Sequence, residues 1–139
     1  MYLLPKPKTI KEQDGQMLLC HSTHIVMTKE VAETEMHAAK RLQEAIRQET
    51  GLILPFSVGE VREGDLSLGI VKTISEQTYE ITIDEKGGQI SGGDGAGVLY
   101  GVETFCQIVQ QCGGILPCVQ IQDAPDMPNR GYYFDQTRG

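Results

Sequence analysis

The sequence predicts an α+β domain: one mixed, largely antiparallel sheet with two helices packed on one face. Two observations carry this. Apolar stripes at helical spacing occur twice, at Ala38, Ala39, Leu42, Ala45 and Ile46 and again at Val98, Leu99, Val102, Phe105, Cys106 and Val109. Around them lie several short β-prone runs, in the order strands, long helix, strands, hairpin, second helix, strand.

The chain opens extended, because Pro5 and Pro7 suit an edge. Lys8–Lys11 then meets Asp14-Gly15, a two-residue hairpin signal, with Gln16–Cys20 as the return strand. Thr23–Met27 is a further strand. Thr28 is a candidate N-cap, and Glu30, Glu33 and Glu35 suit the positive end of a helix dipole. One helix is expected over 29–50, stopped by Gly51. Leu52–Val58 is a strand interrupted by Pro55 and therefore near an edge. Residues 59–65 form a charged loop, and Leu66–Val71 is an apolar strand.

Tyr79–Asp84 alternates apolar and polar, the pattern of a half-buried strand. Lys86–Gly88 turns it into a return strand, Gln89–Ser91. The cluster Gly92-Gly-Asp-Gly-Ala-Gly97 has neither a Gly-Lys-Ser/Thr ending nor Gly-x-Gly-x-x-Gly spacing. It reads as a tight strand-to-helix turn with Asp94 near the N-cap. The second helix is expected over 96–111, ended by Gly113-Gly114, and Ile115–Ile121 is the last strand. Asp123–Asn129 is a proline-bearing linker.

A length of 139 residues fits one domain. The net charge of −7 argues against a nucleic-acid partner, for which a basic face is expected. No run approaches the ~20 apolar residues of a membrane span, and the N-terminus has no signal-peptide core. A cytoplasmic protein without a membrane partner is therefore expected. Cys20, Cys106, Cys112 and Cys118 contain no Cys-x-x-Cys pair, and free thiols are expected. His21 and His24 fall on opposite faces of a strand, His37 stands alone, and no metal site is expected. Cys20-His21 is a weak nucleophile pair, because nothing orients the base.

The last ten residues, Arg130-Gly-Tyr-Tyr-Phe-Asp-Gln-Thr-Arg-Gly139, look like the start of a buried strand. The run Ala96–Phe105, then Leu116-Pro117, Ile121–Pro125 and the ending Arg130-Gly131 … Asp135-x-x-Arg138, resembles glycoside hydrolase family 20, the β-N-acetylhexosaminidases. The resemblance implies a division into an N-terminal accessory domain, residues 1–125, and a linker plus first strand of a (β/α)8 catalytic barrel, residues 126–139. It implies a barrel in the same polypeptide as partner and an amino-sugar glycan as substrate, cleaved by substrate-assisted retaining hydrolysis without a cofactor.

Arg138 matches the family arginine that binds non-reducing sugar hydroxyls, and it falls just past the strand end, where barrel active sites are built. Arg130 and Asp135 match too, and structural roles are expected for them. The family's catalytic Asp-Glu pair belongs to a later barrel strand. Asp84-Glu85 is the one such dipeptide here, and it lies in a hairpin turn. The 139 residues alone are expected to hydrolyse nothing. Two rival readings are a free-standing α+β interaction module that docks its last segment as an added strand, and the leading domain of a related family, of the α-glucuronidase or O-linked N-acetylglucosaminidase type.

Overall fold

A computed structural model describes residues 3–4 and 6–124. Seven strands form one sheet: β1 (Thr9–Leu18), β2 (Ile25–Met27), β3 (Phe56–Val58), β4 (Leu66–Ile70), β5 (Tyr79–Asp84), β6 (Gly87–Gly92) and β7 (Ile115–Asp123). Their order is β1-β7-β5-β6-β4-β2-β3. The sheet is mixed as expected, and it divides cleanly. The β1-β7, β7-β5 and β5-β6 pairings are antiparallel, and the β6-β4, β4-β2 and β2-β3 pairings are parallel. Three helices complete the fold among the described residues: α1 (Lys29–Thr34), α2 (Met36–Thr50) and α3 (Gly95–Cys112).

The helices cover one face. Leu42 and Ile46 of α2, Phe105 of α3, and Ile81, Ile83 and Ile90 of the sheet are fully buried members of a single core. Burying one such side chain contributes ~1.5–3 kcal/mol, so this one layer contact supplies much of the fold's stability. The stripes seen in the sequence are the buried faces of α2 and α3. α3 crosses from β6 to β7 over the intervening β5, packing on all three. The edge position read from Pro55 is correct: β3 begins right after it and is the outermost strand.

Two local expectations are corrected. Asp14-Gly15 is not a hairpin. β1 runs unbroken through it, with an irregular register between Glu12 and Gln16, as a bulge. β7 is long enough to pair with both halves, from Thr9 against Gln122 to Leu18 against Ile115, so nothing forces the chain to reverse. Gly15, at φ 106°, serves the bulge rather than a turn.

The single helix over 29–50 is two helices. Thr28 does cap α1, its hydroxyl accepting from the Val31 amide at 3.4 Å, and Gly51 does stop α2 in a left-handed conformation. Between them Glu35 leaves helical geometry at φ −131°, ψ 33°. Its carboxylate lies at Gly95, against the N-terminus of α3. There the unpaired amides and the helix dipole attract a negative charge. The break coincides with this tertiary contact, and neither glycine nor proline stands at it.

Candidate functional site

Among the described residues the sheet face away from the helices is open and is lined largely by polar side chains. Alternation along β5 sends Tyr79, Ile81 and Ile83 to the core and Glu80, Thr82 and Asp84 to the open face. Register extends this row across the sheet, from Gln120 through Thr82 and Gln89 to Ser67. The loop before β4 flanks it. Together Val61, Arg62, Asp65, Ser67, Thr82, Asp84, Lys86 and Gln89 line a shallow groove of about 160 Å³, completed by Gly87 and Gly88.

One buried carboxylate holds this groove in shape. Asp65 is only 3% exposed. Its Oδ1 accepts from the His24 amide at 3.0 Å and its Oδ2 from the Arg62 amide at 2.9 Å. Its backbone carbonyl accepts from Gly88 at 3.1 Å, and Gly64 donates to the Lys86 carbonyl at 2.5 Å. Loop, β2 and the β5-β6 hairpin are thereby tied together. Gly87 is required here: a Cβ would fall 2.6 Å from the Asp65 carbonyl oxygen. The Arg62 guanidinium lies beside the His24 ring at 3.4 Å. The charged loop expected over 59–65 thus has a definite shape. Its partner His24 is 41 residues from Asp65, a separation that no local motif would flag.

The glycine cluster is a turn, as expected, and its space is filled by the protein itself. Asp94 caps α3, its Oδ1 accepting from Gly97 at 2.8 Å and from the Gln77 amide at 3.0 Å. Side chains at Gly92, Gly93 and Gly97 would run into the backbone of Val98, Ser75 and Thr78. These glycines allow close chain approach, and the cap carboxylate occupies the place an anion would take.

The histidines remain apart. His24 faces Arg62, and His37 Nε2 is 3.3 Å from Glu35 Oε1. Among the described residues no three His, Cys, Asp or Glu side chains form a group that could hold a metal ion. The four cysteines are free thiols, Cys106 and Cys118 buried and Cys20 exposed. Cys20 Sγ bonds the Ser22 hydroxyl at 2.9 Å, which lowers its pKa, and no bond to His21 joins them as a nucleophile pair. Burial pushes the Cys106 thiol up to about 12, against the opposing pull of Arg41. Asp84-Glu85 sits at the β5-β6 turn as expected, with Asp84 Oδ1 accepting from the Lys86 amide. Among the described residues no helix is long and apolar enough to cross a membrane.

Arg130, Asp135 and Arg138 lie outside the described residues, as do the linker and strand expected over 126–139. The approach to them is well held. β7 is paired on both sides, with β1 and β5, up to Gln122 and Asp123. Asp123 Oδ1 also accepts from the Lys8 amide at 3.2 Å.

The described residues therefore define a layered α+β domain with a firmly paired final strand. The family model for glycosyl hydrolase family 20, domain 2, matches residues 1–124, and the chain belongs to that family. Among curated relatives, it is 28% identical over 138 residues to a beta-hexosaminidase of Vibrio furnissii, covering 98% of this chain and 21% of that protein. A beta-hexosaminidase of Porphyromonas gingivalis is 26% identical, covering 98% and 19%. The chain spans about a fifth of the length of these relatives. Among solved structures, the beta-N-acetylhexosaminidase of Streptomyces coelicolor A3(2) superposes with a TM-score of 0.74 at 20% identity, over 89% of this chain and 26% of that one. The exo beta-N-acetylglucosaminidase of Vibrio harveyi gives 0.72 at 20% identity, over 89% and 19%.

Proposed function

We propose that residues 1–125 are the N-terminal accessory domain of a β-N-acetylhexosaminidase whose catalytic barrel belongs to the same polypeptide. The observation that carries this is the family match over residues 1–124. In this reading the domain's task is structural: it flanks the barrel and holds it. Residues 126–139 lead into the first barrel strand.

The reaction is removal of a terminal N-acetylhexosamine with retention. The substrate's own acetamido oxygen attacks the anomeric carbon, and an Asp-Glu pair on a later barrel strand orients the acetamido group and supplies the general acid. No cofactor takes part. Arg138 serves as a substrate ligand, because its planar fork of donors fits two adjacent sugar hydroxyls. The 139 residues alone are inactive, since Asp84-Glu85 is bound up in a hairpin of the accessory domain.

The test is substitution of Arg138 in the native gene product, with a chromogenic N-acetyl-β-glucosaminide as substrate. Loss of two hydrogen bonds to the sugar predicts a fall in kcat/KM of about 100-fold for Arg138→Ala. Unchanged kcat/KM would remove Arg138 from the site.

A further inference from the structure

We propose that the open-face groove between the 61–65 loop and the β5-β6 hairpin is a saccharide-binding site for a neutral, hydroxyl-rich sugar unit. It rests on the glycosidase reading for its ligand class only; its geometry stands alone.

The groove is preformed. Asp65 spends both carboxylate oxygens on the amides of His24 and Arg62, so the loop wall is fixed before any ligand arrives. Preorganised walls reduce the ordering cost of binding. The volume of about 160 Å³ is room for one sugar ring.

The lining chemistry is balanced. Arg62 and Lys86 bring donors, Asp84 brings an acceptor, and Ser67, Thr82 and Gln89 offer groups that both donate and accept. Among the described residues, the Ser67 and Thr82 hydroxyls and the Lys86 ammonium have no partner within the domain. Formal charges of both signs face the groove, which disfavours a strongly anionic or cationic ligand. A ring of hydroxyls, each both donor and acceptor, matches such a surface. No aromatic side chain lines it to stack on a ring, so binding is weak, in the millimolar range (~4 kcal/mol).

The experiment is an amide NMR titration of the 139-residue chain with N-acetylglucosamine, with glycerol at equal concentration as control. Saturating shifts are expected at Ser67, Thr82, Lys86 and Gln89 with the sugar and not with glycerol. The double variant Thr82→Val, Gln89→Ala should weaken binding about tenfold while its spectrum stays dispersed. Shifts that fail to saturate, that map elsewhere, or that survive the double variant would overturn the inference. Should the variant lose dispersion, Lys86→Ala at the exposed hairpin tip gives the same reading. Hydrolysis by the native gene product is a separate readout: activity without groove binding sinks this inference alone, and groove binding without activity supports it while sinking the glycosidase reading.

Discussion

The Tyr79 hydroxyl on β5 and the Thr104 hydroxyl on α3 lie 2.7 Å apart, both buried, in a core that is otherwise apolar. Each is the other's partner. Removing one strands the other, at a cost of ~1–3 kcal/mol; removing both is far milder. Thr104→Val and Tyr79→Phe should each lower unfolding free energy by about that amount. The double variant should lose less than the sum, measured by urea denaturation as a double-mutant cycle.

Alkaline pH should destabilise the domain through two buried acids. Burial raises Tyr79 from 10.0 to about 12 and Cys106 from 9.0 to about 12. Below about pH 8 both groups are protonated whether folded or not, and their contribution is intact. Above it the unfolded chain releases protons that the folded chain retains until about 12, so stability falls through that window. A loss on the order of a few kcal/mol is expected between about pH 8 and 11. Urea midpoints across this range check it, and Cys106→Ala should flatten the lower part of the fall.

Two glycine substitutions should separate close packing from backbone conformation. At Gly97 an added methyl meets the Thr78 carbonyl, so Gly97→Ala should cost ~3 kcal/mol or more and loosen the start of α3. At Gly51 there is open space but φ is 79°, so Gly51→Ala should cost only ~1 kcal/mol. Thermal melts of the two variants give the ranking.

Leu4 is held by a side chain that imitates a strand. Gln107 on α3 accepts from the Leu4 amide at 2.7 Å and donates to the Leu4 carbonyl at 2.5 Å, while Leu3 is buried in the core. Gln107→Ala should cost ~1–2 kcal/mol and speed amide exchange at Leu4 selectively. Equal exchange in both proteins would show that Leu3 burial alone holds the segment.

What the sequence disclosed follows the range of the interactions. α3 and the stop of α2 were legible because their signals are local: the Asp94 cap, the apolar stripe, Gly51 and Gly113. The β5-β6 hairpin was legible through its alternation. Asp14-Gly15 misled because a turn signal shows only that the chain can reverse; a long β7 kept both flanks paired on one line. The break at Glu35 has no local breaker to announce it, and the Glu35 carboxylate lies beside Gly95, 60 residues away. The groove stayed hidden for the same reason. Its walls are joined by Asp65 to His24 and Gly88, contacts that exist only once the sheet has formed.

The central claim is that this is the accessory domain of a family 20 hexosaminidase. The most direct measurement sets the native gene product beside the 139-residue chain and follows release of N-acetylglucosamine from a β-linked substrate. The account predicts turnover with retention by the native product and none by the 139 residues. No turnover by the native product, or turnover by the 139 residues alone, would contradict it.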